Sequence, residues 1–226
     1  MTDATDQHEL EAKLSDGARP TRADALRLYE TDGLVGLGRL AHTARLRRHG
    51  DTVVFAADTA AGENTAHLEL HPGQSPAERV DALLRIRQTQ DDTGQYTALA
   101  VTRAEHPDGP AAMAQATESL RTFAVARLLV DNIDHIQCDW SSHGLDVAGL
   151  ALNFGVSDLT GSTTSYRRTH DTGLIDAELT DQDVLELIRD AGFTPMRRDG
   201  DFAALHAYDP PVPAAVRRAE PQKVWT

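Results

Sequence analysis

The chain has 226 residues, 40% of them hydrophobic and 25% charged, with a formal net charge of −13. That length allows one domain with a sizeable core, and the acidic balance argues against nucleic acid or an anionic membrane as partner. No apolar run reaches the length of a membrane span, the polar start shows no signal peptide, and the single cysteine, Cys138, excludes an internal disulfide and places the expected location in a reducing cytoplasm.

Residues 1–20 read as a polar lead-in. Thr21 to Asp24 (TRAD) predicts a helix N-cap with its acid three residues on, followed by Leu26, Leu28 and Tyr29. A second helix is predicted over Leu34 to His49, with Leu34, Leu37, Leu40, Ala41 and Ala44 at helical spacing. Arg45, Arg47 and Arg48 suit its C-terminal dipole and read as a solvated helix end. Gly33 to Gly38 (GLVGLG) has no strand before it, so it reads as close helix packing rather than a phosphate loop. Gly50-Asp51 then turns into TVVFAAD, a buried-strand pattern.

From there the chain alternates. AHLELH (66–71) predicts a strand, Ser75-Pro76 opens a helix to about residue 92, and YTALAVT (96–102) is a strand. A Pro/Gly-rich loop around 106–112 leads to a helix at 118–131, then to strand HIQCDW (135–140) and a helix at 143–154. Such alternation implies a parallel α/β arrangement. Thr180 caps a last helix with Val184, Leu187, Ile188 and Ala191 on one stripe, and Gly192 stops it. FTPMRRDGDFAALHA (193–207) reads as an irregular hairpin, and the proline-rich tail from Asp209 as surface chain.

In the strand at 66–71, His67, Glu69 and His71 share one face and Leu68 and Leu70 the other. Two imidazoles and a carboxylate are a ligand set for zinc or non-haem iron, with the histidines about 6–7 Å apart from strand rise. The competing reading is a solvated strand face. In HIQCDW the polar set is His135, Gln137 and Asp139, and the apolar set Ile136, Cys138 and Trp140. In a closed parallel βα barrel helices would cover the outer face and chemistry would sit at the C-terminal strand ends. The polar set would then line the same interior as His67, Glu69 and His71, and His71, His106, Asp139 and Asp158 would be nearest a reaction centre. Cys138 reads as a small buried hydrophobe rather than a nucleophile.

The segment from Leu120 to Gly161, LRTFAVARLLVDNIDHIQCDWSSHGLDVAGLALNFGVSDLTG, resembles the closing segment of the barrel in a group of radical S-adenosylmethionine enzymes. The group comprises aminofutalosine synthase, cyclic dehypoxanthine futalosine synthase and their deazaflavin-forming relatives. RADALRLYETDGLVGLGRLAHTARLRRHGDTVVF (22–55) is similar to the helical pair and first strand that open the same barrel. The family's CxxxCxxC cluster loop should follow that strand, but AHLELHPGQSPAERVDALLRIRQTQDDTG, similar to the sixth strand and helix, comes instead. The resemblance therefore implies an internal deletion of about four βα units and a truncated (partial) βα barrel over 21–208, between the lead-in and the tail at 209–226. Several family positions survive in the resemblance: His71 matches the histidine that ends the sixth strand, His106-Pro107 a pair after the seventh, His135 and Trp140 the eighth strand, Asp158 and Gly161 a turn, and His170 and Gly173 a later His-x-x-Gly. Ser157, Ser165 and Tyr166 depart from the family pattern.

No iron–sulfur cluster is expected, since one thiol cannot replace three. The leading expectation is a retained pocket for a small polar, nucleoside-like ligand in menaquinone-related or secondary metabolism. Trp140, Asp158 and His170 would contact that ligand. His71, His106, Asp139 and His135 would do acid–base work, with or without a divalent metal (Zn or Fe) on His67, Glu69 and His71. The alternative is a non-catalytic subunit or regulator that pairs with a full-length relative. Three or four strands cannot close a barrel and leave costly open edges, so a homodimer or heteromer is expected.

Overall fold

A computed structural model describes residues 12–13, 17–30, 33–57, 62–104, 110–163, 168–170, 173–175 and 179–212. Helix α1 (Arg22–Glu30) starts on the predicted box: Thr21 donates through its backbone N–H and Oγ1 to Asp24 Oδ2 at 2.8 and 2.7 Å, and the Asp24 N–H returns a bond to Thr21 Oγ1. Helix α2 spans Leu34–His49 as the periodicity predicts. A Cβ on its Gly38 would lie 2.7 Å from the Phe154 ring, so this glycine serves close helix packing.

Strand β1 is Thr52–Ala57 and β2 is Thr65–Leu70. Helix α3 (Pro76–Thr93) opens on a Ser75–Glu78 capping box and ends at Gly94 in the left-handed conformation. Strand β3 (Ala98–Arg103), helix α4 (Pro110–Leu129) and strand β4 (His135–Asp139) follow. The single helix expected at 143–154 is instead two short helices, α5 (Trp140–His143) and α6 (Leu145–Ala151), broken at Gly144 with φ 84°, plus a 3₁₀ turn over Leu152–Phe154. Asp158–Gly161, read from the sequence as a turn, is strand β5. A small antiparallel pair, β6 (Arg168–His170) and β7 (Gly173–Ile175), stands apart from the main sheet. Helix α7 (Asp181–Asp190) is boxed by Thr180 and Asp183, and β8 (Thr194–Arg198) and β9 (Ala204–Ala207) form the expected hairpin.

The main sheet runs β2-β3-β4-β5-β1-β8-β9, parallel throughout except for β9. The first strand in sequence thus sits near the middle, between β5 and β8. One face packs under the helices and supplies the apolar core: Val53, Phe55, Leu68, Leu70, Leu99, Val101, Ile136, Cys138 and Leu159 are at most 4% exposed. This is the face that the Leu68/Leu70 and Ile136/Cys138 alternation predicts. Register puts the polar set on the opposite, inner face: His67 is level with Ala100, Gln137, Asp158, Val54 and Met196. The architecture is a partial βα barrel. Its two sheet edges among the described residues are β2 and β9.

The start of β2 is reached from β1 by residues 58–64 alone, whereas a parallel crossover ordinarily takes a dozen residues or more. The β8–β9 turn lies against the end of that connection, where a Cβ on Gly62 would meet the Gly200 carbonyl oxygen at 2.6 Å. The hairpin therefore reaches from one margin of the sheet toward the other.

Candidate functional site

The centre of the inner face is a buried carboxylate. Asp158, at the start of β5, has a fully buried side chain, and that of Arg198, at the end of β8, is 3% exposed. Arg198 donates from Nε to Asp158 Oδ1 at 2.9 Å and from Nη2 to Oδ2 at 2.6 Å, a two-pronged pairing that suits the guanidinium fork. Gln137 of β4 adds a bond from Nε2 to Oδ2 at 2.6 Å. Burial pushes the Asp158 carboxyl up, and the guanidinium and the Gln137 amide oppose it.

Phe202, from the β8–β9 turn, lies over this pair. The Arg198 guanidinium carbon sits 4.0 Å from its ring centroid, and the ring stacks on His135 at 4.7 Å and 23°. Phe202 has φ 65°, in the left-handed region that disfavours a bulky side chain, so the turn accepts local strain to place this ring. His49 lies against His135 as well, with centroids 4.7 Å apart. Burial, then His49, Arg127 and Arg198, bring the His135 imidazole down to about 3. Burial likewise brings His49 down to about 4.

The helix-side base of the sheet is held by arginines. Arg127 donates to the Gly155 and Asp134 carbonyls at 2.8 Å each and to Ser157 Oγ at 3.0 Å. Arg45 is fully buried and donates to the carbonyls of Val156 at 3.1 Å and Gly50 at 2.6 Å. This corrects the solvated-end reading of Arg45: its side chain satisfies loop carbonyls that would otherwise be buried without a donor.

The sequence-predicted residues fall in several places. His135 and Asp158 join one cluster through Phe202 and Arg198. Asp139 caps α5 by accepting from the Ser141 N–H at 2.8 Å, and strand rise separates it from His135 by about 13 Å, too far to serve one reacting atom with it. Trp140 is fully buried and donates from Nε1 to the Ser162 carbonyl at 3.1 Å, wedged where a Cβ on Gly161 would lie 2.5 Å from the indole. His67 and Glu69 are exposed on edge strand β2 and His71 is exposed just past its end, with His71 Nε2 3.2 Å from Glu69 Oε2. Among the described residues no group of three or more His, Cys, Asp or Glu side chains is arranged to hold a metal ion. His106 lies outside the described residues, as does the side chain of His170.

Sequence reasoning missed Arg198 and Phe202. It also missed a network under α4: Arg79 and Arg103 both pair with Glu118, Arg103 donates to Ser119 Oγ at 2.6 Å, and His143 sits 3.2 Å from that hydroxyl and 3.0 Å from the Val101 carbonyl. The signal for Arg198 was its place in FTPMRRDGDF, two residues from Met196 on the same face as Asp158.

Cys138 is fully buried on the helix side, where burial raises its thiol well above the ordinary range. Residues 58–64, which follow β1, are DTAAGEN and contain no cysteine. These donors do not fit a cluster held by three thiolates. Among the described residues no helix is long and apolar enough to cross a membrane.

Residues 98–209 match the family model described as the CofH/MqnC C-terminal region. The chain is related to the CofH/MqnC family. It is 39% identical over 166 residues to aminodeoxyfutalosine synthase of Streptomyces coelicolor, covering 67% of this chain and 43% of that one. It is 31% identical over 174 residues to the cyclic dehypoxanthine futalosine synthase of the same organism, covering 74% and 43%. A third relative is the 5-amino-6-(D-ribitylamino)uracil–L-tyrosine 4-hydroxyphenyl transferase of Halobacterium salinarum, 34% identical over 164 residues, with 69% and 36% covered. The chain thus spans less than half the length of these CofH/MqnC relatives. A solved structure of methylornithine synthase aligns with a TM-score of 0.47 at 14% identity, over 80% of this chain and 95% of that one.

Proposed function

We propose that this protein is a non-catalytic member of the CofH/MqnC group. On this reading it acts in menaquinone-related biosynthesis by association with a full-length, cluster-bearing relative, as a subunit or regulator. The observation that carries the reading is the occupied inner face. Asp158, the carboxylate best placed to meet a ligand, is bonded by Arg198 and Gln137, and Phe202 covers the pair. A group that is buried and has its acceptor oxygens satisfied by its own chain is poorly placed for proton transfer to a substrate. Of the other acid–base candidates among the described residues, His71 is exposed at the sheet edge, Asp139 caps a helix, and His135 is packed between Phe202 and His49. The lone buried thiol and the short β1–β2 connection add to the reading, because they leave no three-thiolate site for a radical mechanism in this chain.

The test is reconstitution. The purified chain is titrated into a full-length aminodeoxyfutalosine or cyclic dehypoxanthine futalosine synthase from the same organism, with binding followed by calorimetry and turnover by product formation. Saturable binding with a change in turnover is the expected result, and the chain alone should turn over neither enzyme's substrate. Turnover by the chain alone, or no binding to either relative, overturns the proposal.

A further inference from the structure

We infer that a second copy of this chain pairs with β2 edge to edge, so that two partial barrels share one continuous sheet across a two-fold axis at Leu68. Among the described residues no strand pairs with the outer edge of β2. The Asn64 and Leu70 carbonyls accept from the Thr97 and Ala104 N–H groups on the β3 side. Backbone groups alternate along a strand, so the N–H and C=O of His67 and Glu69 point away from β3, toward the open side.

The strand is complementary to itself in one register. In an antiparallel pairing centred on Leu68, His67 of each copy stands opposite Glu69 of the other, and both are outward-facing residues that exchange N–H···O bonds. Thr65 then meets His71, and on the helix side Leu68 meets Leu68 while Ala66 meets Leu70. A slide of two residues either way sets Glu69 against Glu69 or His67 against His67. A slide of one residue presents side chains to the wrong face. A carboxylate opposite an imidazole makes a favourable cross-strand pair, whereas two carboxylates opposite each other are unfavourable. The sheet's other edge is a poorer candidate: β9 is four residues long and carries a register shift at Arg197/Arg198, and short irregular edges resist pairing. Self-pairing does not depend on the proposed regulatory role, since it concerns the chain on its own.

Sedimentation equilibrium on the full chain reads the outcome directly. The expected species at tens of micromolar is twice the 24.5 kDa monomer mass. Glu69→Lys should weaken the dimer about tenfold, since both carboxylate–imidazole pairs are lost, and His67→Glu added to it should restore the affinity by setting a carboxylate opposite each new ammonium. Glu69→Pro, which removes an outward N–H, should also weaken it, with circular dichroism confirming an intact fold. A chain that stays monomeric to about 100 μM, tens of times above a low-micromolar dissociation constant, overturns the inference, as does a dimer indifferent to both Glu69→Lys and Glu69→Pro. A charge-reversed double variant no better than Glu69→Lys alone would overturn the proposed register.

Discussion

Replacing Arg198 by methionine keeps most of the apolar stem and removes the guanidinium, so it isolates what the buried pair contributes. Asp158 would be left fully buried without its cation. Breaking one side of a buried pair costs about 3–5 kcal/mol, because the remaining charge is uncompensated. The Gln137 donor stays, which places the expected loss near about 3 kcal/mol, and the lost cation–π contact with Phe202 adds about 0.5–1 kcal/mol. For a chain of this size the melting temperature should fall by about 10 °C, and urea unfolding measures the loss directly. The sign with pH follows from the same burial. Without Arg198 nothing cationic opposes the upward push on Asp158, so the folded variant holds a proton that the unfolded chain releases. The variant is therefore least impaired in mild acid and loses stability as pH rises. Changing Asp158 to asparagine as well should recover about 2 kcal/mol, since a neutral amide carries no charge penalty. A loss below about 1 kcal/mol, the scale of an exposed ion pair, that is equal at pH 5 and pH 8 would refute the reasoning and mean that water reaches the inner face.

Phe202→Ala removes the ring but keeps φ 65°, whereas Phe202→Gly removes the ring and the backbone strain; the glycine variant should be more stable than the alanine variant by about 1 kcal/mol in urea unfolding. Gly161→Ala should displace the Trp140 indole, lower stability by more than about 2 kcal/mol and shift tryptophan emission to the red. His49 and His135 stay neutral when folded down to about 4 and about 3, but take up protons near 6.5 when unfolded. The stability they allow at neutral pH should therefore drain away as pH falls below about 6.5, and a His49→Gln/His135→Gln variant should show a flatter acid limb. Cys138 should react with Ellman's reagent only at the rate of unfolding, a rate that rises with urea.

The elements with strong local signals were legible. The α2 periodicity, the Thr21, Ser75 and Thr180 caps and the alternation in β2 and β4 are each set by neighbours within a few residues. So was the division of β2 and β4 into a helix-facing apolar set and an inner polar set. Strand β5 was not legible, because it is short and bounded by the turn formers Asp158 and Gly161, and its extended conformation comes from pairing with β1 and β4 on either side. The same holds for the site. Asp158 was recognisable, but its partner lies 40 residues away in a hairpin whose docking on β1 has no local signature. Around Asp158 the polar face is filled by the chain's own Arg198 and Phe202, while His67 and Glu69 on the same face stay exposed.

The placement of β1 has a consequence for how the molecule is made. Its neighbours in the sheet are β5 and β8, which emerge from the ribosome roughly 100 and 140 residues later, some 5–30 s at ordinary elongation speeds. Until then an apolar hydrogen-bonding segment waits without either flank. Such long-range closure predicts slow folding, and it makes the nascent chain a client for holdase chaperones during synthesis. Moving residues 21–57 to the C-terminus by circular permutation would shorten the wait for β8, and should raise the soluble yield in cells lacking those chaperones.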